Sequence, residues 1–202
     1  MKNPDIDIDI RPDTDIRAIF PEAIRASNVV NAELRPHPCG YYFQSISIDP
    51  VTELAAVPYE EAENLGYLKI DFLHNHVYSH FQSHEEIEAL LDLEPPWHLL
   101  RSPSIVKTLF QLGNHFDLVN QVKPTSIEEL ADVIALIRPG KREFAGAYVK
   151  NKAAIRPLLY LQSEDYSFKK SHASAYALVI VLQLHLIEAG EIEIPRVVQP
   201  SL

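Results

Sequence analysis

A chain of 202 residues that is 47% hydrophobic and 23% charged has enough apolar material for one compact domain or two small subdomains. Its lone cysteine, Cys39, excludes an internal disulfide framework and a cysteine-rich zinc site, and points to a reducing, cytoplasmic compartment. The acidic start lacks an apolar leader core and no stretch approaches 18 successive apolar residues, so neither a secretory signal nor a membrane span is expected.

The net charge of −10 is unevenly spread: residues 1–100 carry 6 basic and 18 acidic side chains, residues 101–172 carry 11 and 7, and the remainder 1 and 3. Only the middle third is basic enough to be drawn to nucleic acid.

The opening Asp5-Ile6-Asp7-Ile8-Asp9-Ile10 alternates acidic and apolar residues, the period-two pattern of a half-buried strand. Ile6, Ile8 and Ile10 would face a core, with the three aspartates on the other side. Asp is a poor strand former, and carboxylates about 7 Å apart on one face repel one another unless a cation sits among them. Magnesium, which takes hard oxygen ligands and bridges carboxylates to phosphates, suits such a platform. A solvated edge strand whose charges deter aggregation is the alternative.

Residues 11–15 read as a turn, and Asp13 or Asp15 as the cap of a helix over 16–26 interrupted by Pro21. Residues 35–40 read as a rigid loop, followed by strands over 41–48 and 51–57 and an acidic turn after Pro58. A further strand is expected over 66–73, where alternation places Lys69 and Asp71 on one face. From there the pattern is helical: 77–93, 104–112, a helix from the Ser126 cap to about 137, and 171–189 with Gly190 as its C-cap. His76, His80 and His84 would share a helix face. They have no carboxylate or cysteine partner at ligand spacing, so they read as surface residues. Residues 138–152 form the most basic window. The interleaved Phe144 and Tyr148 make it compatible with single-strand binding or with a solvated loop. Cys39 is assigned no role.

Several stretches occur together in a set order. They are Pro4-Asp5-Ile6-Asp7-Ile8-Asp9; His37-Pro38-Cys39-Gly40 before an aromatic run; and Gly66-Tyr67-Leu68-Lys69-Ile70-Asp71-Phe72-Leu73. After them come Leu109-Phe110-Gln111-Leu112, the segment from Ser126 to Arg138-Pro139-Gly140, and Phe168-Lys169-Lys170-Ser171-His172-Ala173-Ser174-Ala175-Tyr176-Ala177-Leu178-Val179. In that order they resemble the motifs of the alpha subunit of bacterial DNA polymerase III, the family C replicases. The resemblance implies an α+β fold: a small nucleotidyltransferase-like palm sheet over 1–100, a helical fingers-like part over 101–190 and a tail over 191–202.

It further implies that Asp5, Asp7 and Asp71 are the catalytic metal ligands, with Asp9 at the motif's third acidic position, holding two Mg²⁺ (or Mn²⁺) ions for nucleotidyl transfer. Lys69 would neutralise a phosphate. Arg138 and His172 match positions near the incoming nucleotide or the template, and Lys169 and Lys170 would add phosphate contacts or form an ordinary cationic flank. The implied partners are a nucleoside triphosphate, primed or single-stranded DNA, and a replisome protein; a phage or plasmid origin would suit so small a version.

The departures set an alternative. The resemblance would place a Gly-Ser-rich triphosphate loop ahead of the first strand, and that loop is expected to be missing. Only 27 residues separate Gly140 from Phe168, where the family has a longer, arginine- and lysine-rich region. Lys141, Arg142, Lys150, Lys152 and Arg156 are its expected remnant. A catalytically inactive adaptor or inhibitor that binds DNA or replisome proteins therefore stands beside the enzyme reading, as does a metal enzyme that modifies nucleotides or nucleic acid.

Overall fold

A computed structural model describes residues 6–161 and 170–194. The chain divides into two compact units, residues 1–80 and 81–202, and the architecture is α+β.

The first unit is built on a four-stranded mixed sheet in the order β1-β4-β3-β2, with β1 at Ile6–Ile10, β2 at Ile24–Val30, β3 at Glu33–Tyr42 and β4 at Ile70–His74. Strands β2 and β3 form an antiparallel hairpin across Asn31-Ala32, both at positive φ (52° and 64°), as a two-residue type I′ turn requires. Strands β1 and β4, more than 60 residues apart in sequence, pair in parallel with Asp7 opposite Asp71 and Ile8 opposite Phe72. One sheet face buries Phe72 and Tyr41 with Ile16 and Ala23, against which Ile10 and Ile70 pack. A second cluster gathers Ala26, Tyr42, Ile46, Ala55 and Ala62. Strand β1 lies at the sheet edge, so Ile8, expected in the core, is 40% exposed.

Several sequence expectations shift here. The helix expected over 16–26 stops as α1 at Ile16–Ile19, capped by Asp15 through the amides of Arg17 and Ala18. Pro21 lies in the following turn, and pairing with β3 draws residues 24–26 into β2. The loop expected over 35–40 belongs to β3, whereas 43–48 is irregular. Residues 51–57 form no strand: the Asp49 carboxylate accepts the amides of Val51 and Thr52 and holds a turn closed by an isolated Ile48–Ala55 bridge. A helix, α2, covers Tyr59–Asn64. His76 and His80 bound a 3₁₀ turn and His84 starts a separate helix capped by Ser83, so the three histidines share no helix face.

In the second unit the helices are α3 at His84–Leu91, α4 at Pro103–Thr108, α5 at Phe116–Val122, α6 at Ile127–Leu136, α7 at Ala145–Lys150, α8 at Lys152–Leu159 and α9 at Lys170–Glu188. Helix α6 starts where the sequence places it, because the Ser126 hydroxyl accepts the Glu129 amide while the Glu129 carboxylate takes the Thr125 amide, a variant of the capping box. Helix α9 ends in a Schellman motif. Gly190, at φ 75°, donates to the Ile187 carbonyl, and Glu191 donates to that of Leu186, the 5→2 and 6→1 bonds of that motif. Among the described residues, α9 is long and apolar enough to cross a membrane, but 56% of that stretch is buried inside the protein. Its Ala177, Ile180, Val181 and Leu184 belong to one core with Leu130, Ile134 and Tyr148.

Asp132 of α6 is fully buried. Its carboxylate accepts from the Tyr148 hydroxyl at 2.6 Å, the Arg156 guanidinium at 2.6 Å and the Tyr160 hydroxyl at 2.8 Å. Burial and this carboxylate together push both phenols above their ordinary range.

Candidate functional site

In the first unit, Lys69 and His37 gather around Asp71. Residues opposite one another on neighbouring strands point to the same face, so the Asp7–Asp71 register sets two carboxylates side by side. Strand β3 approaches Asp71 from its other flank, with Gly40 as its register partner.

A bulge brings β3 in. Arg25 pairs with Tyr41 and Ser27 with Pro36, so residues 37–40 stand opposite Ala26 alone; such an irregularity re-aims side chains. Two prolines tolerate this position because β4 pairs only with Gly40 and Tyr41 of β3, leaving Pro36 and Pro38 clear of the shared ladder. The Arg25 guanidinium holds the bulge. It donates to the carbonyls of His37 (2.8 Å) and Pro38 (2.6 Å) and to the Tyr41 hydroxyl, and it lies 4.5 Å from the Tyr41 ring centroid.

The result is a compact polar cluster. Lys69 donates to both oxygens of Asp71, whose side chain is 19% exposed. His37 Nδ1 lies 3.8 Å from Asp71 Oδ1 and 3.9 Å from Cys39 Sγ, and accepts the Gly40 amide at 2.9 Å. The His37 ring stacks edge-on against Tyr59, centroids 4.9 Å apart. Burial, reinforced by the Lys69 charge and opposed by that of Asp71, holds His37 below its usual value. Burial and the Asp71 charge push the Cys39 thiol up to about 11. Gly40 makes this convergence possible: a Cβ there would fall 2.7 Å from Lys69 Cδ, 2.8 Å from His37 Nδ1 and 3.0 Å from Asp71 Oδ1.

Of the residues singled out by sequence, Asp7, Asp71 and Lys69 are brought together on one sheet face, while Asp5 lies outside the described residues. Asp9 sits on the same face farther along β1, opposite Leu73. Burial raises its carboxyl and repulsion from Asp7 adds to this, while Asn75 and Tyr78 act in the other direction. In the second unit, Arg138 donates to Gln111 at 3.0 Å and Lys170 faces Glu128 at 3.5 Å. His172 neighbours the Tyr176 ring; Lys169 lies outside the described residues.

The expected arginine- and lysine-rich remnant is mostly structural. Lys141 is buried and donates to the carbonyls of Leu158 and Leu161, Lys152 pairs with Glu129, and Arg156 serves Asp132 and Glu128. Sequence reasoning missed the part played by Arg25, Tyr59, His37 and Cys39. His37 and Cys39 stood inside a quoted motif, but no spacing rule links residues 37–39 to residue 71 without the sheet.

The described residues thus form a mixed sheet with Asp7 and Asp71 in register, followed by a helical unit built on α6 and α9. Residues 48–180 match the family model of the bacterial DNA polymerase III alpha subunit finger domain. The chain belongs to that family. The match takes in Lys69, Asp71, Arg138 and His172, whereas the opening strand and the His37 segment precede it. No curated protein matches the chain.

Proposed function

We propose that this protein is a polymerase III alpha-like nucleotidyltransferase acting in DNA replication, with Asp5, Asp7 and Asp71 as its metal ligands and Asp9 beside them. The observation that carries the reading is the parallel register of Asp7 with Asp71. It joins a strand in the first ten residues to one beyond residue 69 and sets two hard oxygen donors in register on one sheet face, a donor type that suits Mg²⁺ or Mn²⁺. Two such ions would supply charge stabilisation for the attacking and leaving oxygens of a phosphoryl displacement.

The chain's own groups have definable tasks. Lys69 sits close enough to Asp71 to balance its charge without metal, and its flexible stem lets it move to a phosphate once a cation takes that role. Gly40 lets His37, Lys69 and Asp71 close together above it, and Arg25 fixes the strand that carries it. Arg138, Lys169, Lys170 and His172 are assigned to nucleotide or template binding on family grounds. The substrates would be a nucleoside triphosphate and primed or single-stranded DNA, in the cytoplasm, with a replisome protein as partner.

One observation favours the inactive adaptor as a second reading: Lys69 already engages both oxygens of Asp71. Primer extension with labelled nucleotide separates the two. The enzyme reading expects Mg²⁺- or Mn²⁺-dependent incorporation by the wild type that Asp71→Asn abolishes. Wild-type protein that incorporates nothing with either ion, yet binds primed DNA or a replication protein, leaves the adaptor.

A further inference from the structure

We propose that His37, Cys39 and Asp71 form a binding site for a borderline-soft divalent ion, Zn²⁺ above all, in addition to the hard-cation chemistry assigned to Asp7 and Asp71. The inference goes beyond that reading and shares only Asp71 with it. One ligand atom from each of the three side chains, a nitrogen, a sulfur and a carboxylate oxygen, lies within 4.8 Å of the other two. Metal–ligand distances of about 2.0–2.3 Å in tetrahedral zinc sites put neighbouring donors roughly 3.3–3.8 Å apart. The His37 Nδ1 separations of 3.8 Å to Asp71 Oδ1 and 3.9 Å to Cys39 Sγ need little contraction to meet that geometry.

The donor chemistry selects the ion. Sulfur and imidazole nitrogen suit zinc and its neighbours, whereas Mg²⁺ takes oxygen. His37 presents the right atom, because accepting the Gly40 amide at 2.9 Å requires a lone pair on Nδ1, not a proton. An incoming ion takes that lone pair and displaces the Gly40 amide and the longer contact from the Cys39 amide at 3.4 Å.

The surroundings are those of a supported site. Arg25 holds the carbonyls of His37 and Pro38, and so fixes the backbone carrying two of the donors. Lys69 bonds both Asp71 oxygens and can keep one while the other ligates, as outer-shell partners of metal carboxylates do. Gly40 leaves the space that a Cβ would take from His37, Lys69 and Asp71. Three protein donors leave one position of a tetrahedral ion for an outside ligand, a water or a phosphate oxygen. Binding converts the Cys39 thiol to a thiolate and releases its proton to buffer.

The test uses the whole chain, stripped with chelator and titrated with Co²⁺, whose thiolate complexes show a sulfur-to-metal charge-transfer band in the near ultraviolet. Because the sequence has 1 cysteine, such a band can arise only from Cys39, and no variant is needed to assign it. The expected result is a band that saturates at one Co²⁺ per chain, is bleached by stoichiometric Zn²⁺ and persists in excess Mg²⁺. His37→Ala weakens Co²⁺ binding at least tenfold, and Cys39→Ser removes the band, each checked for folding by circular dichroism. Absence of the band in folded wild-type protein overturns the proposal, and so does a band unchanged by His37→Ala. Mn²⁺ binding tracked in parallel separates the two readings. A Co²⁺–thiolate band without Mn²⁺ binding leaves this site and removes the hard-cation one; the reverse outcome does the opposite.

Discussion

Two aspartates, one in each unit, sit among donors, and the contrast between them separates framework from site. Asp132 is fully buried, and its oxygens are taken by two tyrosine hydroxyls and one guanidinium from its own unit. Asp71 is 19% exposed, has a second carboxylate in register beside it, and is neutralised by a lysine on a flexible stem. A buried charge with every partner fixed specifies packing. A half-open charge with an exchangeable partner leaves room for a ligand.

Substitutions can break or sharpen that contrast, and the largest effect belongs to the sealed acid. Asp132→Asn strips the charge from Arg156 and weakens two tyrosine hydrogen bonds, so urea denaturation should register a loss of about 3–5 kcal/mol; a loss below about 1 kcal/mol would mean the network is not what holds α6 to α8. Next is Arg25→Met. Two bulge carbonyls lose a charged donor, an expected cost of about 2 kcal/mol that thermal melting in chelator would register. Gly40→Ala is expected to cost about 1–2 kcal/mol and to displace the His37 ring, visible as a changed imidazole resonance. Lys69 can swing away from the new methyl group, whereas the His37 ring must shift against Tyr59.

The smallest effect is a pH dependence. Burial disfavours the charged form of Glu129, but the hydrogen bonds from Lys152 and the Thr125 amide win and hold its carboxyl below 4.5. The folded value is depressed, so this group contributes stability that is complete above about pH 4.5 and is lost as pH falls through the folded value. Glu129→Gln should flatten that limb of the stability profile, by less than about 1 kcal/mol because Lys152 is 36% exposed. An unchanged profile would assign acid sensitivity elsewhere.

In the second unit α6 and α9 were legible in sequence, because their signals are local, whereas α5, α7 and α8 were not foreseen. Ser126 with Glu129 starts α6, Gly190 ends α9, and apolar spacing marks the faces between. The first unit was legible only where period two was unbroken, in β1 and β4. Proline content hid β3, whose pairing with β2 depends on a bulge that no local pattern announces, and the same bulge hid His37 and Cys39 as neighbours of Asp71. Basic residues misled for a related reason. Lys141, Lys152 and Arg156 look available in sequence, but carbonyls and acids contributed by other helices and turns claim them.

The claim that most of this rests on is that the sheet face shared by Asp7 and Asp71 is a cation pocket. Isothermal titration of Mn²⁺ into the folded wild type, Asp7→Asn and Asp71→Asn tests it directly. The account predicts saturable binding by the wild type, weakened at least tenfold in each variant, with folding of each checked by circular dichroism because Asp71→Asn also removes the partner of Lys69. No binding by the wild type, or equal binding by all three, would contradict it.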